Sequence, residues 1–167
     1  MRQTLFILLA GLVAAATAAS ASELPRSPNA SSFFLQCRLS NTLIKEGEKV
    51  EPEIRDYTFE VDFSAQQVRD LLRIGSFFTI SKSSPGRIDA ANKSGFYANS
   101  LVPGSDQAEM AINRVTGETY LYFYQTPDAD EVRSCEARLG SSSSGYCHLA
   151  RAVARHVGVC APAKPRF

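Results

Sequence analysis

The chain is short of the groups on which most enzymes rely. It has two histidines, His148 and His156, and four cysteines, with no Cys-x₂₋₄-Cys pair among them. Closely spaced zinc-ligand motifs are therefore absent, and imidazole acid–base chemistry has few starting points. Long apolar stretches are missing too. The run from Leu5 to Ala16 holds twelve residues, whereas a membrane-spanning helix needs roughly 20. There is little net charge: the formal value is +1, and zero without Arg2. Nucleic acid is excluded as a main partner, because phosphate binding requires a cationic surface. No internal repeat occurs.

What is present begins with an address. The positive Met1-Arg2 start, the apolar run and the small-residue site Ala19-Ser20-Ala21 (with Ala16-Thr17-Ala18 as a second choice) read as a cleavable secretory signal over 1–21. Cutting there leaves 146 residues, enough for one domain with a real core. Charge is uneven along that chain. Residues 22–132 carry 11 basic and 16 acidic groups, while 133–167 carry six basic groups against Glu136 alone. Such a basic end either docks on an anionic partner or neutralises the body within the fold.

Residues 22–32 form a flexible leader with Pro25 and Pro28. An antiparallel β domain follows over 33–127, opening on a strand at Phe33–Cys37. Tyr57 to Phe63 alternates apolar and polar, so Tyr57, Phe59, Val61 and Phe63 point to one face. Ser64 and Gln67 form a capping-box pattern that predicts a short helix over 65–73. Phe77 to Ser81 is a strand ended by Ser83-Ser84-Pro85-Gly86, and weaker strand pieces surround Ile88 and Phe96-Tyr97. Glu109 to Gln125 reads as a hairpin with Gly117 in the left-handed position. A four-residue loop, 114–117, sets Met110 and Ile112 beside Leu121 and Phe123; a three-residue loop sets them beside the tyrosines. The four-residue loop is preferred. Residues 128–167 form a helical extension and tail on the same domain: a helix over 128–139, a serine-rich linker, and a second helix over 148–157. The fold expected is α+β but mainly β: an antiparallel sheet or partly closed barrel, one short internal helix and a C-terminal helical pair.

Four cysteines in an exported chain read as two disulfides with three connectivities. A helix over 148–157 sets its ends about 15 Å apart, so a bridge between Cys147 and Cys160 would be strained. An antiparallel helical pair brings Cys135 to Cys147, leaving Cys37 with Cys160. The alternative is a zinc set of Cys135, Cys147, His156 and Cys160, disfavoured by compartment and spacing.

Other chemistry is thin. Ser142 in Gly140–Gly145 lacks the second glycine of a nucleophile elbow. His148 and His156 sit on a candidate surface helix without a visible orienting partner, and Asp128 and Asp130 fit a helix start. Asn29-Ala30-Ser31 and Asn92-Lys93-Ser94 match glycosylation acceptors. The tyrosine row is the stronger feature. Tyr120, Tyr122 and Tyr124, with Arg114 beside them and Arg151 and Arg155 on the basic helix, make a candidate binding surface. The arrangement preferred lays the Leu149 stripe of the C-terminal helices over that row, because the stripe needs a surface to lie on.

The order of an aromatic strand with Val61-Asp62-Phe63, the hairpin Ile112–Gly117 and a late Gly158-Val159-Cys160 before Phe167 resembles a group of small exported proteins of unknown function from Gram-negative bacteria. The matching pieces span about 35–125 and the last ten residues. The resemblance implies a periplasmic location and a Cys37–Cys160 bridge. A more distant likeness is to periplasmic lysozyme-inhibitor β-barrels, whose serine-glycine loop is matched at most by Ser143-Ser144-Gly145-Tyr146. The expected function is a non-catalytic periplasmic or secreted binding protein, without a cofactor, whose partner is an envelope or extracellular protein or a glycan. An exported hydrolase of cell-wall or carbohydrate material and a structural envelope component are the alternatives.

Overall fold

The computed structural model describes residues 31–43, 51–73, 76–140 and 144–164. The signal segment, most of the leader, the Ser142 motif and Asn29 lie outside them. Eight strands run β1 (Ser32–Leu43), β2 (Glu53–Asp62), β3 (Gln67–Asp70), β4 (Phe77–Ser83), β5 (Arg87–Asn92), β6 (Gln107–Asn113), β7 (Glu118–Gln125) and β8 (Arg151–Ala163). Each pairs antiparallel with the next, and β8 returns to β1, closing an up-and-down barrel. Three short helices interrupt it: α1 (Gly95–Leu101), α2 (Ala129–Leu139) and α3 (Ser144–Cys147).

Closure follows from alternation. Leu35, Cys37 and Leu39 on β1, Tyr57, Phe59 and Val61 on β2, and Leu121 and Phe123 on β7 are buried inside. Arg38, Glu109 and Arg155 face out, the reverse of a barrel dissolved in lipid. No described helix is long and apolar enough to cross a membrane. The seam is close-fitting: a Cβ on Gly158 would lie 2.1 Å from the Arg38 carbonyl oxygen. Cys37 stands directly opposite Cys160 and is bridged to it, Cα to Cα 3.9 Å. The second bridge joins Cys135 and Cys147, Cα to Cα 5.7 Å. Both connectivities are those expected, and two disulfides point to an oxidising, extracytoplasmic compartment.

The expected class is observed, with two elements relocated. The segment 65–73 is not a helix. Asp62 Oδ1 accepts from the Ser64 and Ala65 amides, making the turn into β3. Val68 and Asp70 then point inward, while Leu71 and Leu72 are exposed; the internal helix is α1. Residues 148–157 are likewise no helix, because Arg151 onward is β8. Its inward set is Ala154, His156 and Cys160, at a period of two rather than the 3.6 of Leu149, Val153 and Val157. The second C-terminal helix is the four-residue α3.

Short turns at 63–66, 84–86 and 114–117 occupy one end of the barrel. The described residues of the longer connections (51–52, 71–73, 76, 93–106, 126–140 and 144–150) belong to the other.

Candidate functional site

The tyrosine row is placed by the β6–β7 hairpin. Asn113 Oδ1 accepts from the Val115 and Thr116 amides, and Gly117 takes φ +76°. Its Cβ would meet the Cys160 carbonyl oxygen at 2.4 Å, so glycine is required twice over. Met110 pairs with Leu121 and Ile112 with Thr119, the register of the four-residue loop. Tyr120, Tyr122 and Tyr124 therefore stand on the outer face and stay half-buried. Tyr120 and Tyr122 have centroids 6.3 Å apart and planes 6° apart; Tyr122 and Tyr124 follow at 6.4 Å. The Tyr124 hydroxyl donates to Glu109 at 3.2 Å. Burial, then the Glu109 charge, raise its pKa to about 12.

The surroundings of the row are read from the register. Glu109 lies abreast of Tyr122 on one side and Arg155 on the other. Shallow grooves of about 290 and 250 Å³ run along its β6 flank, both touching Arg87 and Ala111. The expected helical cover over the row is replaced by β8, which lies beside it in the same sheet.

Arg114 does not join the row. It follows Met110 and Ile112 in the inward alternation and folds over the short-turn end, its guanidinium 5.3 Å from the Phe63 ring centroid. Its Nη1 donates to the Ser84 carbonyl at 3.1 Å, and burial lowers its pKa. Arg151 is exposed and ion-paired with Glu131. Of the six binding residues expected, the structure groups Tyr120, Tyr122, Tyr124 and Arg155.

A polar network that the sequence did not reveal sits inside, towards the long-loop end. Tyr57 Oη and His156 Nδ1 are hydrogen-bonded at 2.5 Å across 99 residues of chain. His156 is completely buried, its ring 4.8 Å from that of Phe123. Burial first, then the charges of Arg55 and Arg73, depress its pKa to about 4; burial also pushes Tyr57 up. Beside them Asp70 binds Arg73 at 2.6 Å and accepts from the Tyr97 hydroxyl at 3.2 Å. Arg55 donates to the Leu101 carbonyl at 3.2 Å, tying α1 into the barrel mouth. Only an inward Asp70, two residues after Val68, could have signalled this, and the helical reading of 65–73 hid it.

The zinc alternative is taken apart: Cys147 and Cys160 belong to different bridges, and His156 is bound to Tyr57. Asp128 is the N-cap of α2, closing a capping box with Glu131. His148 lies 3.4 Å from Glu136 at the surface. Asn92 is buried and donates to the Phe77 carbonyl at 2.7 Å, so its amide is not available to a glycan. A scan against protein-family models and searches of curated proteins and of solved structures return no match.

Proposed function

We propose that the protein is exported to the periplasm or the extracellular space and works there as a non-catalytic binding module, with a protein partner docking on the outer face of β6, β7 and β8. The observation that carries this is the outward-facing, half-buried tyrosine row. Three stiff aromatic side chains project side by side from a rigid sheet, with an acid on one flank and an arginine on the other. Tyrosine of this kind supplies contact area at little conformational cost. A sugar platform needs an open ring face, whereas all three tyrosines are half-buried, Tyr120 and Tyr122 lying parallel at 6.3 Å. That geometry favours a protein over a glycan. The two bridges support export, and the Cys37–Cys160 pairing agrees with the resemblance to small exported Gram-negative proteins.

The test is a photo-crosslinking amino acid at position 122, with Thr58 on the outer face of β2 as the control position. Adducts are expected from 122 and not from 58, and Tyr120→Ser with Tyr124→Ser should reduce them at least tenfold. If Tyr122→Ala with Tyr124→Ala unfolds the protein, the row is structural and the reading fails. Equal labelling from both positions also removes it.

A further inference from the structure

Eight of the ten exposed large hydrophobic residues of the described chain lie at or beside the long-loop end. Leu71 and Leu72 come from the β3–β4 connection and Phe96, 77% exposed, from α1. Leu139, Tyr146 and Leu149 come from the β7–β8 connection, Tyr146 at 75% exposed. Ile54 and Phe77 add the starts of β2 and β4. Their exposures run from 47% for Leu71 to 77% for Phe96. Such residues scattered singly need no explanation; gathered from separate connections onto one end, they do.

We propose that this end is the interface of a homodimer, in which two barrels meet end to end about a two-fold axis. Area is the first argument for a second copy. Eight strands spaced by about 4.8 Å and tilted by roughly 40° make a ring about 25 Å across with its side chains, or roughly 500 Å² in plan. A rugged face of that footprint approaches the ~800 Å² per partner of a standard interface. Charge is the second. The described residues of the connections at this end carry four Lys or Arg and six Asp or Glu. That slight acidic excess disfavours an anionic lipid surface. Mixed signs around apolar anchors suit a self-complementary contact, in which each patch meets its own image. The tyrosine row is on the barrel's flank, so an end-to-end dimer leaves both rows open, and the two surfaces can be tested separately.

Sedimentation velocity of the disulfide-bonded protein from about 1 μM to about 1 mM is the measurement, a range wide enough to show a weak dimer as well as a tight one, because area alone does not set affinity. A concentration-dependent dimer is expected. Phe96→Glu and Tyr146→Glu should each weaken it at least tenfold with an unchanged melting temperature, and Val115→Glu at the short-turn end should leave it intact. If one substitution lowers the melting temperature, the other gives the reading. A protein monomeric throughout, or a dimer that ignores both end substitutions, overturns the proposal. In crosslinking from position 122, a foreign adduct on a monomeric protein sinks the dimer alone. A dimer without adducts sinks the binding-face reading alone.

Discussion

The internal hydrogen bond between Tyr57 and His156 ties acid stability to one imidazole. Its ring is wholly buried and its pKa lies at about 4, against 6.5 in an unfolded chain. Above about pH 6.5 neither state binds the proton, and the term is silent. Between about 6.5 and 4 the unfolded chain takes up a proton that the folded chain refuses, so stability falls as pH falls. The loss approaches ~3 kcal/mol at the bottom of that window. The His156 ring resonances are expected to stay flat from about pH 8 to about pH 5. In denaturant melts at those two pH values, His156→Gln should show a smaller fall in stability than the native protein. A titration of His156 near 6.5 would contradict the burial account. The imidazole and the tyrosine hydroxyl are held together away from solvent, and burial raises the tyrosine's pKa.

Elements differ in how plainly the chain announces them. β2 and the β6–β7 hairpin are legible because one face is core and the other water, so Tyr57, Phe59 and Val61 and then Leu121 and Phe123 print a period of two. β3 and β8 are misread for physical reasons. In β3 only Val68 and Asp70 face inward, and the neighbouring Leu71 and Leu72 imitate a helical stripe while lying exposed. In β8 the seam demands Gly158 and admits a buried histidine, so the inward face is not apolar. The tyrosine row follows from parity alone, whereas the Tyr57–His156 contact spans too much sequence for any local pattern. α2 was legible through its acidic start and basic end, yet it buries no residue. Its capping box contributes about 1 kcal/mol and its exposed ion pairs little, and eleven residues are too few for an isolated helix. The Cys135–Cys147 bridge is therefore its main anchor. Replacing both cysteines by serine should abolish amide protection in α2 and α3 in hydrogen exchange, while the barrel melts within about 3 °C of the native protein. Loss of protection in β7 and β8 as well would show that the helices support the barrel.

Across the whole molecule, seven of the eight strand pairings join neighbours in sequence, and the β1–β8 seam joins the two ends of the described chain. Hairpins form from local contacts, but the seam must overcome the entropy of closing a loop of more than a hundred residues. Cys37 and Cys160 are 123 residues apart, so their bridge removes much of that cost from the unfolded state, about 5 kcal/mol in the chain-entropy model. Opening the seam would expose two strand edges and the inner face beneath them, the condition from which barrels aggregate. Cys37→Ser with Cys160→Ser should therefore fold more slowly and melt roughly 10–15 °C lower, taking about 3 °C per kcal/mol for a chain of this length. The replacement also removes the Thr119 hydroxyl contact to Cys160 Sγ at 3.0 Å, so Cys37→Ser alone is the companion variant. An unchanged melting temperature for both under oxidising conditions would mean that strand pairing alone holds the seam. A large fall for both variants under oxidising conditions, matched by the native protein on reduction, would place the bridge at the centre of the barrel's stability, consistent with a protein that reaches its final fold where thiols are oxidised.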